Sequence, residues 1–242
     1  MSDTGYREPD LRQLPRSRLE SMLHGGQEIR ECYRVLKKGG LNIVGEVLRG
    51  QGTFCEMSHY PAGDVHDADS HGQYYYHSHR SHIFEHGHFH TFLRASGIPA
   101  DAKPLPYTGD EPWPQGDEAL NHLIGISMSK AGFPVGLFAV NHWVTGGTWY
   151  AAMDVIRMLD LFKIDHAYPS WPVNRWISAM IRFYYPQIAE LLDQRDRVIE
   201  AWAEKYPGED VYRDLELEIT GRIEISDEEQ FEAVNRALVK VS

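Results

Sequence analysis

Apolar residues recur at near-helical spacing from Ser17 onward, at Leu19, Met22, Leu23, Ile29, Tyr33 and Leu36, and predict a helix that stops at Gly39-Gly40. Gly25-Gly26 falls inside that stretch as a weak point, so one bent helix or two short ones fit the pattern. Residues 1–15, polar and broken by Pro9 and Pro15, predict a loose or docked arm ahead of it. From Asn42 the period shortens and β-branched and aromatic residues take over. Residues 53–59 are the best strand candidate there, closed by the turn Pro61-Ala62-Gly63-Asp64.

Residues 73–79 and 85–93 also have strand character. The stretch 97–116 holds five prolines and predicts a long irregular connection able to cover a pocket. After it, the apolar runs 123–128 and 135–140 flank Ser129-Lys130-Ala131-Gly132, which has hairpin-turn composition. Helical spacing returns over 148–162, 173–184 and 186–205, with Pro186 suited to a first helical turn. Alternation at 215–219 predicts a half-exposed strand, and 227–239 a final amphipathic helix.

The expected class is therefore α+β, a mostly antiparallel sheet from roughly the N-terminal 60% packed against C-terminal helices. The expected organisation is one domain over 1–242, sheet-rich in 16–145 and helix-rich in 146–242, without internal repeats.

Charge narrows the partners. Lys plus Arg number 24 against 35 for Asp plus Glu, a formal charge of −11, which disfavours a general attraction to nucleic acid or anionic membrane. Cys32 and Cys55 cannot make a disulfide framework. No secretory signal or membrane-span pattern is visible, so the expected setting is a bacterial-type cytoplasm. A small-molecule substrate is expected, and a homo-oligomer is compatible with the composition.

The chemistry concentrates in one place. Nine of the 13 histidines fall between His59 and His90. On strands, His77 and His79 share a face, as do His86, His88 and His90, and pairing His79 with His86 sets His77 opposite His88. Neutral imidazoles so placed suit one transition-metal ion, with Fe, Zn, Cu and Ni all open. The candidate ligands are His77, His79, His86 and His88, with His90 and His59 in reserve. Glu85 is the candidate catalytic carboxylate, with ion pairing or the orientation of a histidine as its alternatives. Tyr76, Arg80 and Arg175 are candidate substrate contacts.

His77-Ser78-His79 followed by Glu85, with Pro61-Ala62-Gly63-Asp64-Val65-His66 upstream, resembles the two cupin half-motifs, here in reversed order. That resemblance implies a metal supporting oxygen chemistry or isomerisation. Tyr74-Tyr75-Tyr76-His77-Ser78-His79-Arg80, Glu85-His86-Gly87-His88-Phe89-His90, Asn141-His142-Trp143-Val144-Thr145-Gly146 and Pro169-Ser170-Trp171-Pro172-Val173-Asn174-Arg175-Trp176 together resemble a bacterial family of uncharacterised proteins. This second likeness implies no activity.

The leading expectation is a metal-dependent enzyme that activates water or dioxygen on a small molecule. A non-catalytic metal or haem binder is one alternative. Another is a zinc hydrolase, because His82-Ile83-Phe84-Glu85-His86 matches a His-x-x-Glu-His helix that would align His79, His82, His86 and His90. A pH-sensitive interaction protein is the last.

Overall fold

The computed structural model describes residues 5–79, 85–109 and 111–240. It is α+β, and among the described residues it has seven α-helices and one six-stranded antiparallel sheet. The helices are α1 (Arg16–Lys38), α2 (Ile43–Leu48), α3 (His142–Thr145), α4 (Ala152–Leu159), α5 (Trp171–Phe183), α6 (Tyr185–Lys205) and α7 (Asp227–Lys240). The strands are β1 (Tyr60–His66), β2 (Gly72–His77), β3 (Gly87–Arg94), β4 (Leu120–Met128), β5 (Pro134–Val140) and β6 (Ile219–Glu224). Each strand pairs with the next in chain order, so the sheet is a single meander. The cupin resemblance therefore extends to local residue spacing and not to this topology.

Helix α1 runs unbroken through Gly25-Gly26 because these glycines meet a neighbouring helix. A Cβ on Gly25 would lie 3.0 Å from the Ala179 carbonyl oxygen, and one on Gly26 would lie 2.7 Å from the Phe183 ring and 2.9 Å from Phe231. The two glycines let α1 approach α5 closely, and that packing offsets their low helix propensity.

The two faces of the sheet differ in chemistry. Tyr74, Tyr76, Phe89, Ile124, Ile126 and Leu137 turn toward the helices and are fully buried. On that side Tyr74 donates its hydroxyl to Asn174 of α5 at 2.6 Å, and Phe89 packs on Trp176 with ring centroids 5.4 Å apart. Residues of opposite parity, among them Tyr75, His77, His88, His90, Phe92, His122 and Phe138, share the other face, as the pairs Tyr75↔His90, His77↔His88 and Phe92↔His122 require.

Local differences from the pattern have local causes. Residues 53–59 are irregular instead of a strand, because the segment folds back on Tyr60. The Cys55 amide donates to the Tyr60 hydroxyl at 2.6 Å, and the Met57 amide reaches the Ser78 carbonyl at 2.8 Å. The helix predicted from 148 starts at Ala152, whose amide donates to Asp196 at 2.6 Å, while Trp149 and Tyr150 hold the proline-rich connection through Leu105 and Pro104. The strand expected at 215–219 begins only at Ile219, since Asp214 binds the Glu216 amide at 2.9 Å and Trp202 at 2.8 Å.

Of the loose and docked alternatives for the N-terminal arm, residues 5–15 take the docked one. Leu11 is buried, Leu14 packs against the core, and Arg197 of α6 donates to the Gly5 carbonyl at 3.0 Å. Among the described residues, no helix is long and apolar enough to cross a membrane.

Candidate metal centre

The hairpin of β2 and β3 sets the geometry. Its register places His77 directly opposite His88, and His90 lies two residues further along the same face of β3. The ligand nitrogens of His77, His88 and His90 all lie within 4.8 Å of one another, and all three residues are buried. This group could hold a metal ion.

Each imidazole has two nitrogens, and their partners decide which one remains for a ligand. His88 Nδ1 donates to Glu85 Oε1 at 2.7 Å, which leaves Nε2 facing His77 Nε2 at 2.8 Å. His90 Nδ1 lies 2.9 Å from His122 Nε2, which leaves its own Nε2 for the centre. Two of the three donors thus have a partner behind them.

Burial pushes the Glu85 carboxyl up, but His88, Ser127 and the Arg222 guanidinium at 3.3 Å outweigh it and hold the group down at about 2. Glu85 is therefore an anion behind His88, with both oxygens engaged. Burial, aided by the positive charge of Arg195, pushes His122 down to about 3, so it is neutral near pH 7 and able to accept from His90.

Aromatic rings wall the site. Phe138 lies 5.2 Å from His88 and 5.6 Å from His90 between ring centroids. Its ring crosses Gly125, where an added Cβ would overlap it. Tyr75 packs 5.1 Å from His77 and 5.3 Å from His90.

The remaining predicted residues occupy distinct places. His79 lies just past β2, half-buried, with its ring 4.9 Å from those of both His77 and His88. His59 stacks on Tyr75 at 3.6 Å, bonds Asp64 at 2.9 Å and lies 5.7 Å from His77, at the rim. His86 is turned away from the group. Its Nδ1 meets the Tyr76 hydroxyl at 2.7 Å and its ring stacks on Phe54, because β3 begins only at Gly87, where a Cβ would press on the His77 carbonyl and Tyr76.

Tyr76 itself belongs to the helix-facing core. Arg175 sits on α5, across the sheet from the triad, bound to Glu28 at 2.6 Å. Arg80, like His82, Ile83 and Phe84, lies outside the described residues. The helical alignment of His86 with His90 gives way to the strand Gly87–Arg94. Asp67 holds the turn before β2, accepting from the amides of Asp69 and Ser70 at 3.0 and 2.8 Å.

His122 is a contributor that the histidine run does not include. Its signal in the sequence is weak, since it stands alone at the start of an apolar strand. A bulge between Thr91 and Phe92 sets it opposite Phe92, one position off the regular register, from where it reaches His90.

These features define an α+β protein with a buried three-histidine group able to hold a metal. Residues 23–225 match the model of the family described as Domain of unknown function (DUF6969), and the chain belongs to that family. No curated protein and no solved structure matches it.

Proposed function

We propose that the protein is a mononuclear metalloenzyme in which the Nε2 atoms of His77, His88 and His90 hold one transition-metal ion and leave a position for a small-molecule substrate. The carrying observation is the convergence of three buried imidazoles, two of them backed by Glu85 and His122. Three neutral nitrogens with an open fourth position suit Zn, Fe, Cu or Ni, and such an ion supplies Lewis-acid or redox activation of water or dioxygen. Glu85 serves as the group that fixes the His88 tautomer, and His122 does the same for His90. His79, with its ring 4.9 Å from those of His77 and His88, is the natural fourth ligand or proton carrier.

For the His77–His88 pair the fit requires a small adjustment. Metal–nitrogen bonds of about 2.0–2.1 Å in a tetrahedral site separate the nitrogens by roughly 3.3 Å. The His77–His88 pair at 2.8 Å must open by about 0.5 Å to meet it, within the reach of side-chain rotation.

The same 2.8 Å spacing favours a second reading, a metal-free chain in which His77 donates to His88 and His88 to Glu85, making His77 a base. Elemental analysis of protein purified without an affinity tag separates the two. One equivalent of metal per chain, lost in His88→Ala and His90→Ala and kept in His86→Ala, is the expected result. Metal far below one equivalent after reconstitution rules out the metalloenzyme and leaves the histidine chain.

A further inference from the structure

Helix α5 carries a second pattern unrelated to the histidines. Trp171, Arg175, Ser178 and Arg182 recur at helical spacing and line one wall of a cavity of about 470 Å³. Ser21 and Glu28 of α1 and the 160–165 segment form the facing wall. The volume lies within the usual range for small-molecule sites, about 300–1,000 Å³.

The charges in this cavity do not cancel. Glu28 is shared by two guanidinium groups, with Arg175 Nε on one oxygen at 2.6 Å and Arg182 on the other at 2.7 Å. The neighbouring charges are paired among themselves, Arg18 with both oxygens of Asp160 at 2.6 and 2.8 Å and Lys163 with Asp165. One positive charge is left over, in a chain whose formal charge is −11.

Donors remain as well. A guanidinium offers five N–H bonds, and Glu28 accepts one from Arg175 and one from Arg182. The first turn of α5, a helix of 13 residues, adds its positive dipole end beside Arg175. At the mouth, Trp171 is 43% exposed, with the Arg175 guanidinium 5.7 Å from its ring centroid.

We propose that this cavity is a second ligand site, separate from the histidine centre, for a small molecule that joins a flat apolar ring to one terminal anion. The anion, carboxylate or phosphate, takes the spare donors of Arg175 and Arg182, where guanidinium geometry suits both. The ring lies on Trp171. Neither part alone uses both features of the cavity.

The test is calorimetric titration of the full-length chain with benzoate and with phenyl phosphate, using benzyl alcohol and inorganic phosphate as half-ligands. At least one ring-bearing anion should bind saturably below about 10 mM, and each half-ligand roughly tenfold more weakly. Arg175→Gln and Trp171→Ala should each weaken that binding by about tenfold, while His88→Ala leaves it unchanged. Circular dichroism confirms that the variants fold, and both substituted side chains are part-exposed, so folding is not at stake.

Failure of both ring-bearing anions to saturate overturns the proposal, as does binding that survives Arg175→Gln. Inorganic phosphate binding as tightly as phenyl phosphate, with no effect of Trp171→Ala, reduces the cavity to an adventitious ion site and overturns it too. Loss of binding in His88→Ala would move the ligand to the histidine centre.

Discussion

Glu85→Gln isolates the carboxylate behind the triad. Glutamine keeps the shape of the side chain, which is 2% exposed, and its oxygen can still accept from His88 Nδ1 at the 2.7 Å contact. What disappears is the negative charge that makes the opposite nitrogen of His88 a stronger donor. Replacing such an outer partner typically costs 10–100-fold in metal affinity, about 1.4–2.7 kcal/mol. Arg222 meets the other Glu85 oxygen at 3.3 Å and is itself 38% exposed, so solvent screens it and Arg222→Gln should cost less than about 1 kcal/mol. Competition with a chromophoric chelator at pH 7.5, using Zn and Co, measures both variants against the wild type. Affinity within twofold of wild type in Glu85→Gln, while His90→Ala abolishes binding, would refute the reasoning that Glu85 tunes His88.

Three further outcomes test the frame around the site. Gly25→Ala gains about 1 kcal/mol of helix propensity, but its Cβ meets backbone atoms of Ala179 and Phe183 at 3.0 and 3.2 Å. Overpacking of about 1–3 kcal/mol should win, giving a Tm lower by roughly 3 °C in a thermal scan; a higher Tm would contradict the close approach. Tyr74→Phe removes the buried donor to Asn174 at 2.6 Å and should cost about 1–3 kcal/mol in urea unfolding, with no change arguing against a buried, satisfied pair.

Asp227 supplies the pH test. Burial is the main cause of its raised pKa, which the hydroxyls of Tyr33 and Tyr184, at 2.7 and 2.9 Å, only partly oppose. The folded state therefore holds this proton more tightly than the unfolded state. Stability from this group is complete below the unfolded pKa and is lost as pH rises through the folded one. Asp227→Asn should gain stability relative to wild type as pH rises from about 3 to 7, and a difference that is flat or falling in paired urea titrations would oppose the assignment.

Much of the frame is legible in the residues themselves. His77 and His79 lie two apart, as do His86, His88 and His90, and that period of two implies that the histidines of each strand share a face; pairing His79 with His86 across the connection then sets His77 opposite His88. The helices around Pro186 and from Asp227 follow from spacing and first-turn chemistry. Other features need tertiary information. His86 obeys the same period on paper, yet the strand begins one residue later because Gly87 is pressed against the neighbouring strand, so its ring departs to Tyr76. His122 enters through a bulge, which no periodicity announces. Gly25-Gly26 suggests a break when α1 is considered alone, and a contact surface only once α5 is beside it.

The three donors of the candidate centre all belong to one hairpin, with His77 and His90 at its two ends of reach. An unfolded chain consequently keeps these imidazoles at high effective concentration, since closing so short a loop costs little entropy. An ion taken there would cling to the denatured ensemble as well as to the native one, and its stabilising leverage would be smaller than its affinity for the folded protein implies. Conversely, a hairpin that bound an ion could take it up early during synthesis, before the last strand and α7 had emerged. Loading and folding would then be one event in time without being strongly coupled in energy.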